Sequence, residues 1–160
     1  MNTEIDVTTI PIGVVGLGLM GCSITTCLIM AGHKVIAVAP VAIDLEHANT
    51  RIQTHLTRSK QHGLINKEPA EYLQQLTITE DYALLKDCKV VIECTLENVD
   101  IKKSVYNKIE AVISNEAILT SNTSAIPISI LQKLTLFPNR FFGLHWAEPS
   151  HTTRFLEIIC

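Results

Sequence analysis

The sequence predicts an α/β chain built on a doubly wound, mostly parallel sheet, and three observations carry that prediction. Apolar runs short enough to be buried strands alternate with stretches of helical period along the 160 residues. The first run, Ile12 to Val15, feeds directly into Gly16, Gly18 and Gly21 at GxGxxG spacing, and helical periodicity follows at once. Polar residues (Glu93, Glu97, Asn122, Ser124, His145 and Glu157) fall at the carboxyl ends of later strands. Open α/β sheets bind their ligands at those ends.

Ile12 to Val15 suits a strand covered on both faces. In the turn after it, Gly16 permits the sharp bend, Gly18 lets a pyrophosphate approach the backbone, and Gly21 lets helix pack closely on strand. The helix that follows, apolar at Cys22, Ile24, Leu28, Ile29 and Ala31, would aim its free N–H groups at the phosphates. A glycine-rich turn that binds nothing is the plainer alternative, and the strand-to-helix setting argues against it. Gly32 ends the helix, and Val35 to Ala39 forms a second strand, completing a Rossmann-type βαβ unit. An acid at the end of that strand, about 20 residues past the glycines, would hold the ribose of a dinucleotide. Ala39 and Pro40 stand there instead, with Asp44 and Glu46 a few residues later.

Leu45, Ala48, Ile52 and Leu56 predict a helix over 43–59, and a second helix spans 67–75 with Pro69 in its first turn. Arg51, Arg58, Lys60 and Lys67 on this pair could meet an anion, though a solvated face explains each singly. Leu76 to Thr79 is a short strand, and Lys89 to Cys94 a strong one that ends in Glu93. Asn98 and Asp100 can cap the helix carrying Ile101, Val105, Ile109 and Val112. A strand at 117–121 leads into Asn122-Thr123-Ser124, Pro127 opens a helix to Leu134, and strands at 141–146 and 155–159 close the chain. Crossovers between parallel strands are expected to be right-handed.

Composition limits the function. Hydrophobic residues make up 47% and charged residues 18%, which predicts a packed core. A net charge of −3 without a basic cluster argues against nucleic acid as a partner. No run approaches the roughly 18 apolar residues of a membrane helix, and the polar opening lacks the build of a signal peptide. Five cysteines without a CxxC pair read as reduced thiols, neither a disulfide frame nor a metal site. A cytoplasmic location is the expectation.

Candidate chemistry centres on His145. A lone histidine at a strand end serves a core as readily as a reaction, but Glu157 could orient its imidazole and leave the other nitrogen as base. Ser124 could hydrogen-bond a substrate oxygen, Asn122 could face a nicotinamide, and Lys102 could reach a cofactor; ordinary turn and helix-surface roles compete with each.

These residues resemble the N-terminal NAD-binding domain of the 3-hydroxyacyl-CoA dehydrogenases, including the 3-hydroxybutyryl-CoA dehydrogenases. The resemblance runs from Ile12 to Ile159 and rests on Gly-Leu-Gly-Leu-Met-Gly, Val90 to Glu93 with Glu97 and Lys102, Ser121 to Ser124, His145-Trp146 with Pro149, and Phe155 to Glu157. It implies that Gly16, Gly18, Leu19, Met20, Gly21, Glu97, Lys102 and Asn122 bind NAD. It implies His145 as general base, Glu157 as its carboxylate partner and Ser124 as donor to the reacting oxygen. It further implies an acyl-CoA substrate, a helical arm over 43–75 that helps hold coenzyme A, and a C-terminal helical domain beyond residues 1–160 through which two copies pair. The 160 residues alone are then expected to bind dinucleotide with little turnover. Three departures stand out: Ala39 replaces the family's ribose-binding aspartate, Glu148 replaces an asparagine before Pro149, and the helical domain is absent from this sequence. The first predicts weak NAD binding with poor discrimination against NADP, which Ala39→Asp would improve. Two other functions share most of these features: a non-catalytic nucleotide-binding module, and another hydroxyacid dehydrogenase sharing only the glycine turn.

Overall fold

Val14 and Val15 are chain neighbours on one strand, and both are fully buried. Since successive strand residues point to opposite faces, the sheet must be covered on both sides. The computed structural model, which describes residues 6–153 and 155–160, shows how. The chain runs β1 (Ile12–Val15), α1 (Leu19–Met30), β2 (Val35–Val38), α2 (Ala42–Gln61), α3 (Pro69–Leu73), β3 (Leu76–Thr79), β4 (Val90–Glu93), α4 (Val99–Glu110), β5 (Ile118–Ser121), α5 (Ile128–Leu131), β6 (Phe141–Trp146), α6 (Ser150–Thr153) and β7 (Leu156–Ile159). The strands lie in the order β3-β2-β1-β4-β5-β6-β7. The first six are parallel and β7 is antiparallel to β6. The predicted doubly wound, mostly parallel sheet is therefore the architecture of the protein.

Two apolar layers follow from the alternation. Val14, Val35, Ala37 and Ile92 face Ile24, Leu28 and Ile29 of α1 and Ala48, Ile52 and Leu56 of α2. Val15, Val38, Val91 and Phe141 face Val105, Tyr106 and Ile109 of α4 and Ile128 and Leu131 of α5. The arm-like pair after β2 belongs to the first layer: buried Ile65 joins α2 to α3, and Tyr72 and Leu73 pack against the same cluster.

Four elements differ from the sequence expectation. The helix expected over 67–75 holds only Pro69–Leu73, set at its start by a capping box of Glu68 and Glu71. It stops early because the Gln75 carbonyl already accepts from Val35 N at 2.8 Å, at the edge of the sheet. The helix after Pro127 has one α-helical turn and then a 3₁₀ turn over Gln132–Leu134. A 3₁₀ segment at Tyr82–Asp87, capped by Asp81, was not foreseen, and neither was α6.

α6 is tied down by an unusual contact. His151 stacks on His55 of α2, ring centroids 4.5 Å apart and planes 16° from parallel. Its Nδ1 lies 3.0 Å from Ser23 Oγ of α1, which also accepts from Ser150 N at 2.9 Å. Burial, then the charges of His151, Arg58 and Arg51, push the His55 pKa down to about 4. The unfolded chain takes up this proton near pH 6.5, and folded His55 refuses it until about pH 4. The contribution is thus intact above pH 6.5 and is lost as pH falls through that window. His55→Gln should lose less thermal stability than the natural chain between pH 7 and pH 5. Equal losses in Tm would show that the stack carries none of the acid sensitivity.

Candidate active site

The site begins where β1 and β4 lie side by side and their following helices leave in opposite directions. Gly16 there has φ +98°, and a Cβ on it would come within 2.8 Å of the Cys94 carbonyl. A Cβ on Gly21 would sit 1.7 Å from the Gly16 oxygen. Both glycines are thus required by packing alone, since turn, helix and β4 touch backbone to backbone. Gly18 differs: its backbone is extended, φ −68° and ψ −158°, and nothing lies within 4 Å of a Cβ placed on it. No side chain caps α1, whose first residues, Leu19 and Met20, border the same open space.

That space is a cleft of ≈ 750 Å³. One wall carries Gly16, Gly18, Leu19, Met20, Pro40, Val41 and Asp44, and the other carries Thr95, Leu96 and Glu97 with the α4 residues Asp100, Ile101, Ser104, Val105 and Lys108. An uncapped helix N-terminus beside a side-chain-free position fits a pyrophosphate, and the apolar residues of α4 and residues 40–41 fit a flat base.

Behind the cleft, Glu93 and Lys102 are fully buried. Lys102 Nζ lies 2.9 and 3.0 Å from the two Glu93 oxygens. Glu93 also accepts from Tyr106 OH at 3.1 Å, Ser121 Oγ at 2.6 Å, and Thr95 N and Oγ1 at 2.6 Å each. Lys102 Nζ is 3.5 Å from Glu97 Oε2, while Glu97 Oε1 accepts from Thr123 Oγ1 and from the N–H groups of Ser124 at 3.0 Å and Ala125 at 2.9 Å. Partial burial raises the Glu97 pKa, but the Thr123 and Ala125 hydrogen bonds, the Lys102 charge and the Ser124 hydrogen bond together hold it below its ordinary value. The structure therefore places Lys102 inside the wall, where it steadies Glu97, and Glu97 in turn shapes the loop that bears Ser124. Sequence reading gave Glu93 no more than a place at a strand end. The signal for its role was the helical register that puts Lys102 on the face of Val105, Tyr106 and Ile109, all buried.

The third group of residues lies at the ends of β5, β6 and β7. His145 and Glu157 are directly opposed in the antiparallel β6–β7 pair. His145 Nδ1 is 3.1 Å from Glu157 Oε2, and Nε2 is 3.2 Å from Ser124 Oγ. A carboxylate at Nδ1 favours the tautomer protonated there, in which Nε2 offers its lone pair toward Ser124. Asn122 uses Oδ1 to accept from Trp146 N at 2.9 Å, holding the end of β6 beside this chain of groups. Glu148 is exposed, and its charge acts on His151 by raising a pKa that burial lowers more strongly.

Burial raises the thiol pKa of Cys22 and Cys88 to about 11 and that of Cys94 further still, so these groups stay protonated. Among the described residues, no group of three or more His, Cys, Asp or Glu could hold a metal, and no helix is long and apolar enough to cross a membrane.

A glycine turn feeding an uncapped helix at the sheet's switch point, with a histidine–carboxylate pair across β6 and β7, defines a dinucleotide-binding domain of the dehydrogenase type. The family model for the "3-hydroxyacyl-CoA dehydrogenase, NAD binding domain" matches residues 11–160, and the chain belongs to that family. It is 34% identical over 151 residues to the 5-formyl-3-hydroxy-2-methylpyridine 4-carboxylate 5-dehydrogenase of Mesorhizobium japonicum, covering 92% of this chain and 48% of that protein. A probable 3-hydroxybutyryl-CoA dehydrogenase of Deinococcus radiodurans is 29% identical over 147 residues, covering 92% and 53%. Among solved structures, the (S)-3-hydroxybutyryl-CoA dehydrogenase of Ralstonia eutropha superimposes with a TM-score of 0.87 at 27% identity, over 93% of this chain and 53% of that one. The chain thus spans about half the length of these relatives.

Proposed function

We propose that this domain serves the NAD-dependent interconversion of a short-chain 3-hydroxyacyl-CoA and its 3-keto form. The observation that supports it best is the unbroken chain Ser124–His145–Glu157. Bound in the cleft, NAD⁺ supplies a hydride acceptor at the nicotinamide. His145 Nε2 removes the proton from the 3-hydroxyl as the carbon–hydrogen bond breaks, and Glu157 stabilises the imidazolium that results. Ser124 Oγ donates a hydrogen bond to the same oxygen, keeping it within reach of Nε2. In the reverse direction His145 returns that proton to the carbonyl oxygen. Gly18, Leu19 and Met20 offer backbone to the pyrophosphate, and Glu97 and Asn122 hold the loops that frame the nicotinamide end.

Titration with NADH, read by the fluorescence of Trp146, the only tryptophan, should show saturable binding. A full-length protein carrying this domain should then oxidise NADH with acetoacetyl-CoA. The 34% identity to a pyridine-carboxylate dehydrogenase favours one second reading, in which the same three groups act on an alcohol or aldehyde not carried on coenzyme A. Turnover of an aromatic aldehyde with no response to acetoacetyl-CoA would select that reading.

A further inference from the structure

The acid expected at the end of β2 is missing, and the structure shows that position 39 does not face the cleft. Ala39 is 1% exposed and packs in the core with Leu17, Ala48 and Ile52. An aspartate there would lie among apolar groups, so the tightening expected of Ala39→Asp on sequence grounds is not expected from the structure.

Another carboxylate occupies the ground. Asp44, in the first turn of α2, lines the cleft together with Gly16, Gly18, Pro40 and Val41. Arg51, two turns further along the same helix, places Nη1 3.7 Å from Asp44 Oδ1 and donates to the Leu17 carbonyl at 3.1 Å. Leu17 is the residue between the first two glycines, so Arg51 binds the acid and the glycine turn to one another. In a dinucleotide the adenosine ribose is joined directly to the pyrophosphate. A pyrophosphate on the glycine turn therefore puts the ribose hydroxyls beside residues 40–44. We propose that Asp44 receives this ribose and makes the cleft select NAD over NADP, with Arg51 as the positioning residue that holds it. The inference rests on the cofactor reading of the cleft.

Charge supports the direction of selectivity. The lining holds three acids, Asp44, Glu97 and Asp100, against one cation, Lys108. Lys108 sits on the opposite wall with its ammonium 5.6 Å from the centre of the Tyr82 ring. A 2′-phosphate would thus meet the Asp44 carboxylate, and the one guanidinium beside it, Arg51, is already engaged by Asp44 and the Leu17 carbonyl. The Asp44 side chain is only partly exposed, at 23%, but it lies on the helix surface, and Asn keeps its size.

The natural protein and Asp44→Asn are titrated with NADH, NADPH and reduced nicotinamide mononucleotide, which lacks the adenosine half. The natural protein should bind NADH at least about 10-fold more tightly than NADPH. Asp44→Asn should lose roughly 10-fold or more in NADH affinity, the value of a charge-assisted hydrogen bond. It should gain on NADPH and leave the mononucleotide unchanged. Equal binding of NADH and NADPH by the natural protein overturns the inference, as does a variant that keeps both affinity and preference. A variant that also loses the mononucleotide would place Asp44 in the fold and not in recognition. Failure of the natural protein to bind NADH at all would instead sink the cofactor reading beneath it.

Discussion

Gly18→Val should lose about 100-fold or more in NADH affinity while its melting temperature stays that of the natural chain. The two halves of this expectation come from one geometry. Gly18 has an ordinary extended backbone that valine adopts readily, and a Cβ there meets nothing within 4 Å. The added side chain would fill the space through which the pyrophosphate reaches the N–H groups at the start of α1. Each charge-assisted hydrogen bond lost is worth about 1.5–3 kcal/mol, and two of them at the lower figure amount to roughly 100-fold. Gly21→Ala supplies the contrast, because its Cβ would overlap the Gly16 oxygen at 1.7 Å and the fold itself should suffer. Isothermal titration with thermal melting of both variants decides the matter. Normal NADH binding by Gly18→Val would reduce the glycines to a turn.

In a full-length protein carrying this domain, His145→Ala should lower turnover of acetoacetyl-CoA by roughly 10²–10⁴-fold, the usual contribution of a positioned general base. NADH affinity should hardly move, since His145 contacts Ser124 and Glu157 at the substrate end and does not line the cofactor cleft. Glu157→Gln should cost less, because the base remains and only its orientation and charge partner are lost. Parallel losses of NADH binding and turnover in His145→Ala would make the histidine a structural residue.

How much of this was legible in the sequence depended on range. The strands, the glycine turn and Asn98 as a cap were readable because each is set by neighbours in the chain. Asn98 Oδ1 indeed accepts from Asp100 N and Ile101 N at 3.0 Å each. His145, Glu157 and Ser124 were readable as candidates, but nothing local said that β7 would turn back and set Glu157 opposite His145. Between the two strands α6 is fastened to α1 and α2 through Ser23 and His55, contacts that span 127 residues or more in the case of Ser23. Lys102 was misleading for a related reason. A lysine at a helix start reads as solvated or ligand-facing until a buried Glu93 is seen to meet it. Position 39 shows the limit of motif reading: the motif named the place for an acid, while the structure buries Ala39 in the core and sets Asp44 in the cleft lining.

The buried group of Glu93, Lys102, Tyr106 and Ser121 also restricts how this lineage can drift. Removing one partner of a buried ion pair costs about 3–5 kcal/mol, a large part of the roughly 5–15 kcal/mol that keeps a domain folded. Single-step neutral substitution at Glu93 or Lys102 is therefore closed, although simultaneous replacement of the pair by apolar residues could be tolerated energetically. Such a double exchange would still release Glu97, which Lys102 steadies, and with it the loop that carries Ser124. Descendants free of selection for turnover could cross that barrier and remain folded, whereas descendants that still use Ser124 would keep both charges. The state of positions 93 and 102 would then separate active from retired copies of this domain, even where His145 and Glu157 persist by inertia.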